Sequence, residues 1–227
     1  MDVDYQANSN LLKEAKRCGV KKFVYISALN GDKLSETKIF EAKEKFVDEL
    51  KESGLEYLII RPNGFFSDMK DFFEMATKGR VYLFGKGDKQ LNPIHGADLA
   101  EFIIDSINKD SNKELEVGGP NIYTHKQIAN LAFKSLNKKP KITYIPDFIR
   151  TLTIKLLPIV TSSKTYGPIE FFLSAMGRDM LAPKYGQYTL DSFYKSQKVK
   201  DTKTKPNFFT IGFLIYDLPT EDKIQNS

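Results

Sequence analysis

Apolar side chains recur at helical spacing near the start of the chain, at Ala7, Leu11, Leu12, Ala15 and Cys18. Asp4 is placed to cap such a helix and Gly19 to stop it. Lys22-Phe23-Val24-Tyr25-Ile26-Ser27 then reads as a buried strand, rich in β-branched and aromatic residues. A polar loop from Asn30 to Glu36 leads to a second amphipathic helix ending near Ser53-Gly54. Another strand, Glu56 to Arg61, is stopped by Pro62. Helix, strand, helix, strand with short connections predicts a parallel sheet with helical crossovers.

After Pro62 the pattern is less regular. Phe65 to Ala76 reads as helical, Val81 to Phe84 as a short strand, and Gly85-Lys86-Gly87-Asp88 as a turn. Asn92 to His95 is extended, and Asp98 is expected to cap a helix from Leu99 to Ile107. Leu115-Glu116-Val117 gives a last sheet strand, closed off by Gly118-Gly119-Pro120. Thr124 and Gln127 form a capping box for a helix to Leu136, and a mostly helical lobe continues to about Gln197. An apolar piece, Phe208 to Leu218, is compatible with an edge strand or with a loose segment.

Composition narrows the function classes. The 227 residues are 41% hydrophobic and 28% charged, which excludes disordered, collagen-like and coiled-coil chains. No run approaches the roughly 20 apolar residues of a membrane span, and no basic-then-apolar leader follows Met1, so a soluble cytoplasmic protein is expected. One cysteine, Cys18, rules out an intrachain disulfide and suits a reducing compartment. The net charge of +5 rests on 29 lysines against 5 arginines, scattered among acids. That favours weak attraction to anions over specific nucleic-acid reading, which relies on arginine forks. With two histidines and one cysteine, a catalytic zinc site is not expected.

Lys43 is the most informative position. It falls within about 40° of Ile39 on the apolar stripe that Phe46 and Leu50 continue and Phe40 and Val47 widen. Either its stem lies on the core with the ammonium in solvent, or the cation points to the cleft where parallel strands bind ligands at their carboxyl ends. Ser27 ends its strand at such an edge, where its hydroxyl serves either loop backbone or a ligand. Arg61-Pro62-Asn63-Gly64-Phe65-Phe66 lies at the next strand end. It reads as a strand stop and turn, or as a place where the Asn63 amide approaches a ligand. Gly85-Lys86-Gly87 is rejected as a phosphate cradle, because position 90 is Gln and no helix follows. His95 reads as a satisfied structural histidine, and His125, in a helix's first turn, as exposed.

In order, the segments Val3-Asp4-Tyr5 to Asn10-Leu11-Leu12, Gly19 to Ser27, Ala42-Lys43 and Ser53-Gly54-Leu55 resemble the atypical short-chain dehydrogenase/reductases. So do Ile60-Arg61-Pro62, Asn92-Pro93-Ile94, Asp98-Leu99-Ala100, Gly118-Gly119-Pro120 and Met180 to Gly186. The nearest subset is the NmrA-like NAD(P)-binding proteins, including relatives of the nucleotide-binding accessory subunit of respiratory complex I. The resemblance runs from Val3 to Gln197. It implies the C-terminal part of a Rossmann-like doubly wound α/β sheet over 1–119 and a small helical, substrate-covering lobe over 120–197, with a basic tail over 198–227. Members begin with a strand and a Gly-rich turn that seats the pyrophosphate; the resemblance implies that this sequence starts after them and exposes a half-sheet edge to a protein partner.

The resemblance further implies NADP or NAD as cofactor, with doubt over binding by this chain alone, and a small-molecule substrate or none. Lys43 and Ser27 match catalytic positions, and Ser27, Lys43, Pro62, Asn63 and Phe65 match the cofactor side. Classical members place a Tyr four residues before the Lys, where Ile39 stands here. The implied reaction is hydride transfer to or from a small carbonyl or enone. The alternatives are a non-catalytic dinucleotide-sensing or assembly scaffold, or an inactive truncated fragment.

Overall fold

The computed structural model describes residues 2–31, 38–160 and 163–200. A π-helical turn (Asp2–Ala7) runs into α1 (Asn8–Arg17), β1 (Lys22–Ile26), α2 (Lys38–Glu52) and β2 (Glu56–Pro62). Then come α3 (Lys70–Thr77), β3 (Val81–Phe84), β4 (Gln90–Leu91), α4 (Gly96–Ile107) and β5 (Lys113–Val117). The lobe adds β6 (Tyr123–Thr124), α5 (His125–Ser135), β7 (Ile142–Ile145), α6 (Asp147–Val160), α7 (Ser163–Met176) and α8 (Leu190–Lys200). The segment Phe208 to Leu218 and most of the polar loop before α2 lie outside the described residues.

β1, β2 and β5 form a parallel sheet in the order β1-β2-β5, with Lys22 opposite Glu56 and Leu58 opposite Lys113. Alternation along β2 explains why both faces are covered. Ile59 packs with Leu12, Phe46 and Leu50 of α1 and α2, while Leu58 and Ile60 pack with Ile94 and Leu99 toward α4. The result is the Rossmann-like α/β arrangement, with helices on both faces of a parallel sheet.

The lobe does not simply follow the sheet along the chain. β3 pairs in parallel with β7, 61 residues later at Val81 and Ile142, and β4 pairs with β6. Phe72, Phe73 and Leu83 share one core with Ile128, Phe133 and Tyr194, so the two parts interlock. No helix among the described residues is long and apolar enough to cross a membrane.

Three sequence expectations are corrected. Asp4 lies inside the π-helical turn, and α1 starts after Ala7 with no side-chain cap, because the chain is already helical when it reaches Asn8. The helical stretch expected from Phe65 begins at Lys70; Phe65 to Met69 form turns, one closed by the Phe65 amide donating to Asp68 Oδ2 at 2.9 Å. The cap of α4 is His95, whose Nδ1 accepts from the Ala97 amide at 3.2 Å; Asp98 is inside the helix and fully buried. The expected box at Thr124 and Gln127 forms as read.

Candidate functional site

The side chain of Arg61 follows Ile59 by two residues and therefore points to the α2 face, where the pattern otherwise places apolar groups. At 8% exposure its guanidinium needs partners for its donors. Nη1 and Nη2 donate to the two carboxylate oxygens of Glu44 at 2.6 and 2.7 Å, and Nε donates to Glu114 Oε2 at 2.7 Å. Lys51 closes the other side of Glu114. Burial works against the charge on Arg61, but hydrogen bonds and charge from Glu44 and Glu114 outweigh it and raise its pKa. Burial likewise opposes the Glu114 carboxylate, yet Lys51 and Arg61 hold its pKa below the ordinary value.

Ser27, buried just past β1, belongs to this cluster. Its hydroxyl donates to Glu44 Oε1 and accepts from Arg61 Nη1, both at 3.3 Å, while Arg61 Nη1 also reaches the Ala28 carbonyl at 3.3 Å. Gly31 presses against the same pair: a Cβ there would collide with the Glu44 carboxylate and lie 2.8 Å from Arg61 Nη1.

Lys43 precedes Glu44 on α2 and is half-buried among Phe40, Phe46 and Val47, which are almost wholly enclosed. Its Nζ lies 5.8 Å from the centroid of the Tyr25 ring, at the carboxyl end of β1. The stripe read from the sequence is thus the buried face of α2, and Lys43 sits within it. Two further lysines of that helix go elsewhere: Lys45 stacks over Tyr5 at 4.3 Å and Lys51 pairs with Glu114.

Asn63 takes a different place. It is 1% exposed, and its Nδ2 donates to Asn92 Oδ1 at 2.8 Å and to the Met180 carbonyl. Asn92 Nδ2 in turn donates to the carbonyls of Ala182 (2.9 Å) and Gly119 (3.1 Å), and its Oδ1 accepts from the Ala182 amide at 3.0 Å. Asp98 completes the clasp by accepting the amides of Gln187 and Tyr188, each at 3.1 Å. Gly186, at φ +87°, lies where any Cβ would strike the Asp98 carboxyl. Pro62 is buried with its carbonyl accepting from the Leu29 amide at 3.1 Å, and Phe65 is half-buried against Ile94 and Leu99.

Sequence reasoning missed Glu44, Glu114, Asn92 and the burial of Asp98. A signal existed for the first two: an arginine at an inward strand position requires a buried counter-charge. His125 is a correction. It is 4% exposed, because the β4–β6 pair and Phe72 cover the start of α5. Burial drives its pKa down to about 4, partly offset by Asp179 and Asp88. His95 caps α4 and stacks on Tyr188 at 4.3 Å.

Comparison with known proteins adds a similarity in sequence and in fold. Residues 1–110 match the family described as NAD(P)H-binding. The chain is 31% identical over 204 residues to a chloroplastic divinyl chlorophyllide a 8-vinyl-reductase of Arabidopsis thaliana, covering 82% of this chain and 49% of that protein. It is 23% identical over 198 residues to the Photosystem II assembly factor Ycf39 of Synechocystis, covering 83% of this chain and 60% of that protein. The fold matches an NADPH-dependent quinone oxidoreductase of Escherichia coli crystallised with NADPH. That match has a TM-score of 0.64 at 17% identity and covers 84% of this chain and 70% of that one. The chain spans about half the length of the curated reductases it matches. Over residues 1–110 the chain is therefore similar to the NAD(P)H-binding family, and its fold is the Rossmann-like α/β fold that such NAD(P)-binding reductases share.

Proposed function

We propose that this chain supplies the nicotinamide side of an NAD(P) site in a reductase acting on a conjugated carbon–carbon double bond or a carbonyl. The observation that carries the reading is Lys43, a half-buried ammonium on the apolar face of α2 beside the carboxyl end of β1. It falls within the residues that match the NAD(P)H-binding family. A cation there suits the ribose hydroxyls next to the nicotinamide. No Gly-rich strand-to-helix turn of the kind that seats a pyrophosphate occurs in the sequence, so the fit is to the nicotinamide half alone. When bound, the cofactor supplies the hydride.

In this reading Lys43 donates hydrogen bonds to the ribose and, with Ile39 four residues earlier, is itself the group that gives a proton to the substrate oxygen or carbanion. Ser27 acts through the loop it anchors, since its hydroxyl is engaged by Glu44 and Arg61. Pro62, Asn63 and Phe65 shape the strand-end floor, and the lobe after Gly119 covers the substrate. The exposed Cys18 suits a reducing compartment, the cytoplasm among them.

A second reading, a dinucleotide-binding assembly protein, is favoured by Ile39 in place of a tyrosine and by the similarity to the assembly factor. Fluorescence titration with NADPH and NADH tests the shared part. The expected result is saturable binding that Lys43→Ala weakens about tenfold, a loss of about 1.4 kcal/mol. Absence of binding to either dinucleotide overturns both readings. Cofactor oxidation followed by absorbance, with quinones and conjugated enones as acceptors, separates them: binding without turnover leaves the assembly reading.

A further inference from the structure

We infer that Arg61 is the positioning residue of the Lys43 site, setting the rotation of α2 and hence the place of the Lys43 ammonium; the inference rests on the reading of Lys43 given above. Apolar contacts hold α2 against the sheet through Phe46, Val47 and Leu50, but such contacts are non-directional and tolerate a small slide or roll. A bidentate fork does not. The two Nη groups of Arg61 grip both oxygens of Glu44 at 2.6 and 2.7 Å, which fixes the distance of that carboxylate and its orientation in the guanidinium plane. Lys43 is the adjacent residue, about 100° around the same helix, so whatever fixes Glu44 fixes the direction in which Lys43 leaves the helix.

The same guanidinium ties down the surroundings. Its Nε holds Glu114 of β5, and its Nη1 holds the Ser27 hydroxyl and the Ala28 carbonyl just past β1. Four elements, the ends of β1 and β2, the middle of α2, and β5, therefore meet on one planar group. Gly31 seats the following loop on the pair so closely that no side chain fits. The cluster of Arg61, Lys51, Glu44 and Glu114 is balanced, two cations against two carboxylates. It offers no net charge to an anionic ligand, so its contribution to such a ligand is geometric.

Arg61→Lys tests this, because it keeps the positive charge and removes the fork. The first readout needs no ligand: lysines are labelled with ¹³C at Cε, the Lys43 signal is assigned by its loss in Lys43→Arg, and its ring-current shift and NOEs to the Tyr25 ring are compared. Arg61→Lys is expected to diminish both. The second readout is a cycle of NADPH affinities and thermal stabilities. Arg61→Lys is expected to weaken binding about tenfold with Lys43 present and less than about twofold in a Lys43→Ala background, at equal loss of thermal stability in the two backgrounds. An unchanged Lys43 signal, or an equal affinity loss in both backgrounds, overturns the positioning role. If the wild-type chain binds no dinucleotide, the functional reading falls while the Lys43 signal still decides the positioning role. Glu44→Gln, which weakens the fork from the other side, carries the same two readouts should Arg61→Lys fail to fold.

Discussion

Two buried polar assemblies begin at the carboxyl end of β2, one at Arg61 on the strand and one at Asn63 just past it, and they are made of different materials. The Arg61 cluster joins side chain to side chain through full charges, and its carboxylates keep some access to water: 21% for Glu44 and 33% for Glu114. The Asn63 clasp is completely enclosed at Asn92 and Asp98 and is directed mainly at backbone groups of residues 180–188. A side chain that binds backbone specifies the path of a strap and is indifferent to its sequence. A charge fork specifies the orientation of one partner side chain and of the helix that carries it. The clasp therefore docks the lobe, and the charged cluster aims α2.

The strongest way to break this comparison is Asn92→Leu. It removes four hydrogen bonds, leaves the Ala182 amide and carbonyl and the Gly119 carbonyl without the Asn92 side chain, and takes from the Asn63 amide one of its two acceptors. A loss of about 4 kcal/mol is expected from urea unfolding, with amide exchange accelerated first in residues 180–188. A loss below about 1 kcal/mol would mean that the lobe is docked by its apolar core instead.

Acid should act on the two regions unequally. His125 begins α5, whose first turn is covered by the β4–β6 pair; β4 is also bridged to Met180 of the strap. Its folded-state pKa of about 4 is below the ordinary 6.5, so the folded chain binds its proton less readily than the unfolded chain does. The stability due to a neutral His125 is complete above about pH 6.5 and is lost as pH falls toward 4, amounting to about 3 kcal/mol. Glu114 in the charged cluster gives up its charge only at lower pH than an ordinary glutamate, because Lys51 and Arg61 favour its carboxylate. Unfolding midpoints between pH 4 and 7 should therefore show a steeper slope for the wild type than for His125→Gln, and equal slopes would remove His125 as the cause.

Arg61→Met removes the centre of the charged cluster and leaves two carboxylates facing a buried apolar side chain. Because both carboxylates are partly hydrated, a loss of about 2 kcal/mol is expected, below the full cost of orphaning a deeply buried charge. Exchange in residues 180–188 should stay slow, which distinguishes this loss from that of Asn92→Leu. The smallest effect on folding belongs to Lys43→Ala, within about 0.5 kcal/mol, even as dinucleotide affinity falls. A larger destabilisation would make Lys43 a packing residue and sharpen the case for a scaffold.

Much of the frame was legible along the chain. β1, β2 and α2 follow from short-range periodicity, and Lys43 stood out because a cation in an apolar stripe contradicts its neighbours. The capping box at Thr124 and Gln127 was readable because its two groups are three residues apart. Asp98 was legible only as a capping type; its true role, receiving amides some ninety residues later, leaves no local trace. His125 was misread for the same reason, since what covers it comes from β4, β6 and Phe72.

By itself, then, the sequence determined the parallel α/β frame, the apolar face of α2 and the cation set into it. Those features arise from repeats of two and 3.6 residues, which act between near neighbours. Tertiary structure alone decided that Arg61 meets Glu44 and Glu114, that Asn63 and Asn92 bind the strap, and that β3 pairs with β7. Each joins residues separated by 17 to 117 positions or by whole elements, where the partner is chosen by register and packing of the assembled sheet.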